Sequence, residues 1–134
     1  MLQATIEPSL SYILVPKAIY QKVKLLNWNK FLATKHQLEE LIVPDLISYQ
    51  YVRGQECSAI ASLFQNVTIT IGKAVFYIPP ASFLKDFTYN YYGVKEPHCR
   101  IMIALGKEGG MSLGNVFLEN YPMTYTPSTK SFLL

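Results

Sequence analysis

Apolar and polar residues alternate most regularly in the middle of the chain. Across residues 65–71, Val67, Ile69 and Ile71 share one face while Asn66, Thr68 and Thr70 share the other, the pattern of a half-buried strand. Gly72-Lys73 supplies a tight turn, and residues 74–78 return as a second strand, a hairpin stopped by Pro79-Pro80. Nearer the start, residues 3–6 and 11–15 read as short strands separated by Glu7-Pro8-Ser9-Leu10, where Pro8 and Ser9 are turn chemistry. Pro16 opens a helix in which Ile19, Val23 and Leu26 recur at helical spacing, with Lys17, Gln21, Lys22 and Lys24 off that face. This helix is expected to end near residues 27–29. A second short helix is expected over residues 35–42, with Leu38, Leu41 and Ile42 on one side. The texture turns to β from Tyr49. Further strands are expected over residues 100–105, 123–125 and 130–134, a glycine-rich loop over 106–110, and a short helix within 114–121.

Composition supports this mainly β reading. The 134 residues are one domain's worth, and 50% are hydrophobic against 16% charged, which argues against disorder. Ten Tyr and seven Phe favour strands. The net charge is only +3 and the basic residues are scattered, unlike the clustered face of a nucleic-acid binder. No apolar run approaches the ~20 residues of a membrane span, so neither nucleic acid nor membrane is an expected partner. The first residues carry no basic start before an apolar stretch and do not read as a secretory signal. That leaves an intracellular protein, or a Met1 internal to a longer chain.

Candidate chemistry is sparse. Cys57 and Cys99 are far apart, and His98 beside Cys99 has no CxxC or HxxxH companion, so no metal is expected. Composition leaves free thiols and a disulfide equally open. The loop near Gly106 lacks a P-loop lysine-threonine pair and a GxGxxG pattern, and reads as a surface turn. No cofactor is expected. Asn66-Val67-Thr68 forms a glycosylation sequon, although Thr68 also suits the polar face of its strand.

Several segments, in order, resemble the C-terminal lobe of pepsin-like aspartic proteases. Residues 4–16, ATIEPSLSYILVP, are similar to the family's active-site stretch, in which two apolar residues precede Asp-Thr-Gly-Thr-Ser and an apolar run ends in Pro. The helix opening at Pro16 falls where that family has one. Residues 49–57 and 63–80 resemble its tyrosine-bearing strand, cysteine and hairpin closing on Pro-Pro. Cys99 sits where the family's second lobe cysteine precedes a strand. Residues 111–121, MSLGNVFLENY, are very close to Ile-Leu-Gly-Asp-Val-Phe-Leu-Arg-x-Tyr, and residues 130–134 line up with Lys-Ile-Gly-Phe-Ala. The resemblance covers nearly the whole chain. It implies a β-rich lobe with two or three short helices over residues 1–134, without its N-terminal lobe, and a disulfide between Cys57 and Cys99. It also implies a polypeptide substrate or peptide ligand, a missing lobe or dimer partner, and a secreted or lysosomal/vacuolar compartment.

The chemistry of that family requires two carboxylates sharing a proton, one from each lobe's Asp-Thr-Gly loop. This chain holds no Asp-Thr-Gly. The aspartate position is Glu7, whose extra methylene displaces the carboxylate by about a bond length, and a misplacement of ~1 Å can cost roughly a hundredfold in rate. Pro8 stands at the Thr position and has no N–H to donate, Ser9 replaces Gly, and Leu10 removes a hydroxyl, while Ser11 matches. Later, Gly114 is kept where an apolar-apolar-Gly loop packs beside the active-site loop. Ser112 replaces an apolar residue there, Asn115 stands for Asp, and Phe132 for a Gly. The expectation is a peptidase domain by descent that is catalytically inactive, with Glu7 a turn carboxylate. The competing expectations are a non-enzymatic peptide-binding module and a truncated gene product.

Overall fold

The computed structural model describes residues 4–7, 9–34, 36–42, 48–71, 73–106, 110–121, 124–126 and 131–133. In chain order these form β1 (Ala4–Ile6), β2 (Ile13–Val15), α1 (Lys17–Phe31), β3 (Gln37–Leu41), β4 (Tyr49–Arg53) and α2 (Cys57–Ile60). A 3-10 turn (Ala61–Leu63) leads to β5 (Val67–Ile71), β6 (Ala74–Ile78), α3 (Pro80–Phe83), β7 (Leu84–Tyr91) and β8 (Val94–Ile101). β9 (Ile103–Leu105), β10 (Met111–Leu113), α4 (Asn115–Leu118), β11 (Thr124–Thr126) and β12 (Ser131–Leu133) follow. The protein is mainly β, as the composition implies.

Two four-stranded sheets carry the architecture, ordered β1-β10-β2-β9 and β3-β4-β8-β7, with β5-β6 and β11-β12 as separate hairpins. Met102 is the hinge between the two sheets. Its N–H donates to the Phe83 carbonyl and its carbonyl accepts from the Ile13 N–H, so the chain leaves β8 and joins β2 as β9. The single strand expected over residues 100–105 is therefore two. Ile13, Val52, Ile60, Ile78, Ile101, Leu113, Val116 and Phe117 are all but fully buried in one core. Phe76 stands edge-on to Phe117 and Tyr121, centroids 5.2 and 4.9 Å away, which ties the β5-β6 hairpin to the chain after β10.

Helix α1 runs two residues beyond the expected end. Thr34 Oγ1 donates to the Phe31 carbonyl and closes its last turn. Its buried residues are Tyr20, Asn27 and Phe31, whereas Leu26, expected inside, is 57% exposed. A polar pair explains the rotation: Asn27 Nδ2 donates to Gln50 Oε1 at 2.8 Å within the buried contact, pairing a donor and an acceptor that burial would otherwise leave unmet.

The helix expected over residues 35–42 is instead β3, paired antiparallel with β4 from Gln37↔Arg53 to Leu41↔Tyr49. A stretch this short has little helical stability of its own, and pairing with β4 supplies the ladder it lacks. Tyr20 and Lys24 both reach Glu40, fastening β3 to α1. Pro79-Pro80 ends β6 as expected, but Pro80 also begins the single turn α3. Of the long β7-β8 hairpin, only the end of β8, residues 100–101, falls within an expected strand. The hairpin closes on a two-residue turn with positive φ at Tyr92 (50°) and Gly93 (82°), the geometry that matches strand twist.

Cys57 and Cys99 form a disulfide, Cα atoms 4.8 Å apart, joining α2 to β8 as the resemblance implies. Pro8, Gly72 and residues 107–109 lie outside the described residues, as do the side chain of Phe132 and the ends of the last two expected strands.

Candidate functional site

The two motif segments are 100 residues apart in sequence and adjacent in space. Strand β10 lies between β1 and β2, parallel to the first (Thr5↔Ser112) and antiparallel to the second (Leu113↔Ile13). It continues into the loop that follows β1: the Glu7 N–H donates to the Leu113 carbonyl at 3.1 Å. Leu10 N–H donates back to the Glu7 carbonyl at 3.0 Å, which ties Leu10 to the end of β1. On the other side, Gly114, Asn115 and Val116 donate in succession to the carbonyls of Tyr12, Leu10 and Ser11, at 3.0, 2.7 and 3.3 Å.

Gly114 is demanded by this crossing rather than by its backbone angles. A Cβ there would lie 2.2 Å from the Leu10 carbonyl oxygen and 2.5 Å from that of Tyr12. Only a residue without a side chain lets the two backbones approach so closely.

The side chains around this frame make a weak chemical site. Glu7 is half-buried, and its Oε1 accepts a hydrogen bond from Ser112 Oγ at 3.3 Å. Two departures from the family pattern, Glu7 and Ser112, thus meet each other. Both residues stand out in the sequence but not as a pair; the parallel β1-β10 register pairs Ser112 with Thr5, two residues before Glu7, and so brings them together. Ser9 and Ser11 are exposed, Leu10 is half-buried and Asn115 is exposed. Ser11 and Asn115 border a recess of about 280 Å³ with Lys85, Asp86, Phe87, Met102, Val116 and Glu119, whose walls do not include Glu7. Asp86 is committed to structure, its Oδ1 accepting the Cys57 N–H at 2.7 Å where α2 begins. Among the described residues no three His, Cys, Asp or Glu side chains are placed to hold a metal ion. Asn66 is exposed just before β5, so its sequon is accessible.

A second cluster escaped the sequence analysis. One face of the β3-β4-β8-β7 sheet carries Glu39, Leu41, Tyr49, Tyr51, Arg53, Tyr89, His98 and Arg100 around a groove of about 360 Å³. His98 is stacked between Tyr51 and Tyr89, centroids 5.0 and 5.2 Å away. Arg100 lies over Tyr49 and Phe87, at 4.5 and 3.8 Å, and donates to the Tyr12 hydroxyl at 2.9 Å, linking this face to the loop after β1. Burial lowers the His98 pKa, opposed by Glu96 and assisted by Arg53. The Tyr51 hydroxyl is pushed up to about 12, by burial first and then by its hydrogen bond to Glu39. The alternation Tyr49-x-Tyr51-x-Arg53 with His98-x-Arg100 is the sequence signal that marks these residues as one face.

No family model matches the chain, and no curated protein matches it significantly.

Proposed function

We propose that this chain is a lobe of a pepsin-like aspartic peptidase, the C-terminal one by its motifs, that has kept its frame and lost its chemistry. The observation that carries the reading is the insertion of β10 between β1 and β2, with Gly114 pressed on the loop that bears Glu7. It brings together the two most motif-like segments, residues 4–16 and 111–121, in the arrangement the resemblance anticipates. The Cys57–Cys99 disulfide supports the same reading. The loss of activity follows from residue chemistry. Glu7 carries its carboxylate about a bond length beyond that of an Asp, and Pro8, Ser9 and Leu10 cannot supply the donors and close backbone approach of Asp-Thr-Gly-Thr. In this reading, a second lobe or a dimer partner completes the cleft. The recess beside Ser11 and Asn115 favours a second possibility, retained binding of a peptide without cleavage.

The test is digestion of denatured haemoglobin by the purified chain at acidic pH, about 3 to 5, where an aspartic dyad operates. The expected outcome is no cleavage above buffer. Sustained cleavage that disappears in Glu7→Ala contradicts the loss of activity. Binding of extended peptides by the uncleaving protein supports the second possibility, and no binding to a peptide array removes it.

A further inference from the structure

Helix α1 carries a second apolar stripe on the side away from the core. Polar Gln21 stands at the head of a row completed by Leu25, Trp28 and Leu32 at i+4, i+7 and i+11, and these three apolar residues are 62%, 53% and 64% exposed. The helix contains Lys17, Lys22, Lys24 and Lys30 and no acidic residue. Lys24 is paired with Glu40, and Lys30 lies over the Phe64 ring. Lys17 and Lys22 are exposed and meet no acidic partner among the described residues. By helical spacing, Lys17 stands one turn before Gln21 at the head of the stripe, and Lys22 one turn before Leu25 and Leu26.

We propose that this face of α1 is a peripheral docking surface for an anionic lipid bilayer, with Leu25, Trp28 and Leu32 entering the interfacial layer and Lys17 and Lys22 facing the headgroups. Charge selects the occupant. A second copy would bring Lys17 and Lys22 of each helix against those of the other, and neither lysine meets an acidic partner among the described residues, whereas an anionic surface neutralises them. The residue types agree: Leu25, Trp28 and Leu32 are exposed, with Lys17 and Lys22 one helical turn from the row, and Trp, Leu and Lys are residues that suit a membrane interface. A protein partner could seat a side chain in the hollow of about 240 Å³ among Trp28, Leu32, His36 and Leu38, which makes it the alternative the experiment separates. No described helix is long and apolar enough to cross a membrane, and this mode of binding needs none. The inference does not depend on the peptidase reading.

Trp28 is the sole tryptophan of the chain, so its emission reports on this face alone. The intact protein is titrated at low salt with phosphatidylcholine vesicles containing about a third phosphatidylserine, and with phosphatidylcholine alone. The expected result is a saturable blue shift with the anionic vesicles, reversed by added salt and weak on the neutral ones. Each lysine near such a surface is worth about a fivefold change in partitioning, so Lys17→Glu with Lys22→Glu lowers binding by more than ~10-fold. Leu25→Glu with Leu32→Glu abolishes it; all four positions are exposed, and unchanged circular dichroism and melting establish that the variants fold. An absent shift and absent co-sedimentation with anionic vesicles overturn the proposal and leave the hollow to a protein. Equal binding to both vesicle types, or binding indifferent to the leucine pair, overturns it as well.

Discussion

Replacing Gly114 by alanine probes the crossing of β10 directly. The new methyl would sit 2.2 and 2.5 Å from the carbonyl oxygens of Leu10 and Tyr12, both backbone atoms that cannot rotate away. One segment must move by roughly 1 Å to restore ordinary contact, and overpacking of this kind costs about 1–3 kcal/mol. The same movement stretches the bonds from Gly114, Asn115 and Val116 to Tyr12, Leu10 and Ser11. Weakening these adds about 0.5–1 kcal/mol for each bond affected. The stiffer unfolded chain returns about 0.5 kcal/mol. The net is a loss of about 3–4 kcal/mol, which for a chain of this length lowers the melting temperature by roughly 10–15 °C. The control is Gly54→Ala, where φ is +75° and a Cβ meets nothing within 4 Å. Only the left-handed backbone penalty of about 1 kcal/mol applies there. Urea and thermal melts followed by circular dichroism compare the two. If Gly114→Ala melts within a degree of the parent, or loses no more than Gly54→Ala, the close crossing does not exist.

Three further outcomes follow from the same structure. Removing the disulfide with Cys57→Ala and Cys99→Ala frees a separation of 42 residues and is expected to cost about 4 kcal/mol by loop entropy, measured as the shift in urea midpoint. Tyr20→Phe strips the buried hydroxyl from the Glu40 carboxylate and is expected to cost about 1–2 kcal/mol; burial and that carboxylate also raise the Tyr20 pKa, so alkaline titration of the folded protein should show its ionisation delayed until unfolding. Burial lowers the His98 pKa in the fold, where Tyr51 and Tyr89 lie on its faces and Glu96, Arg53, Glu39 and Arg100 surround it. Its folded pKa lies below the unfolded value of about 6.5, so its contribution is complete above that pH and declines as the pH falls through and below it. The melting temperature should therefore drop on acidification from neutral, and His98→Gln should flatten that part of the profile.

How far the sequence revealed the fold depended on whether an element's partners were local. The β5-β6 hairpin was legible because Val67, Ile69 and Ile71 alternate cleanly and the turn lies between the strands. Residues 37–41 were misread because their Leu and Glu residues fit a helix as well as a strand, and only pairing with β4 decides between them. The β7-β8 hairpin went largely unread because its alternation is of Tyr, Phe, His and Arg rather than of apolar against polar, and its rings stack on each other instead of entering the core. The inward side of α1 was displaced by the amide pair Asn27–Gln50, a long-range interaction with no periodic signature. At the candidate site, the nearness of residues 4–16 and 111–121 came from motif resemblance. The contact of Ser112 with Glu7 spans 105 residues and required the register.

The insertion of β10 between β1 and β2 underlies the proposed lobe. Amide hydrogen exchange on the intact protein reads it residue by residue. The Asn115 and Val116 N–H groups, bonded to Leu10 and Ser11, are expected to exchange only on unfolding, with protection close to that of Ile13. Exchange of both at the rate of an open loop, while Ile13 stays protected, would contradict the crossing and the reading built on it.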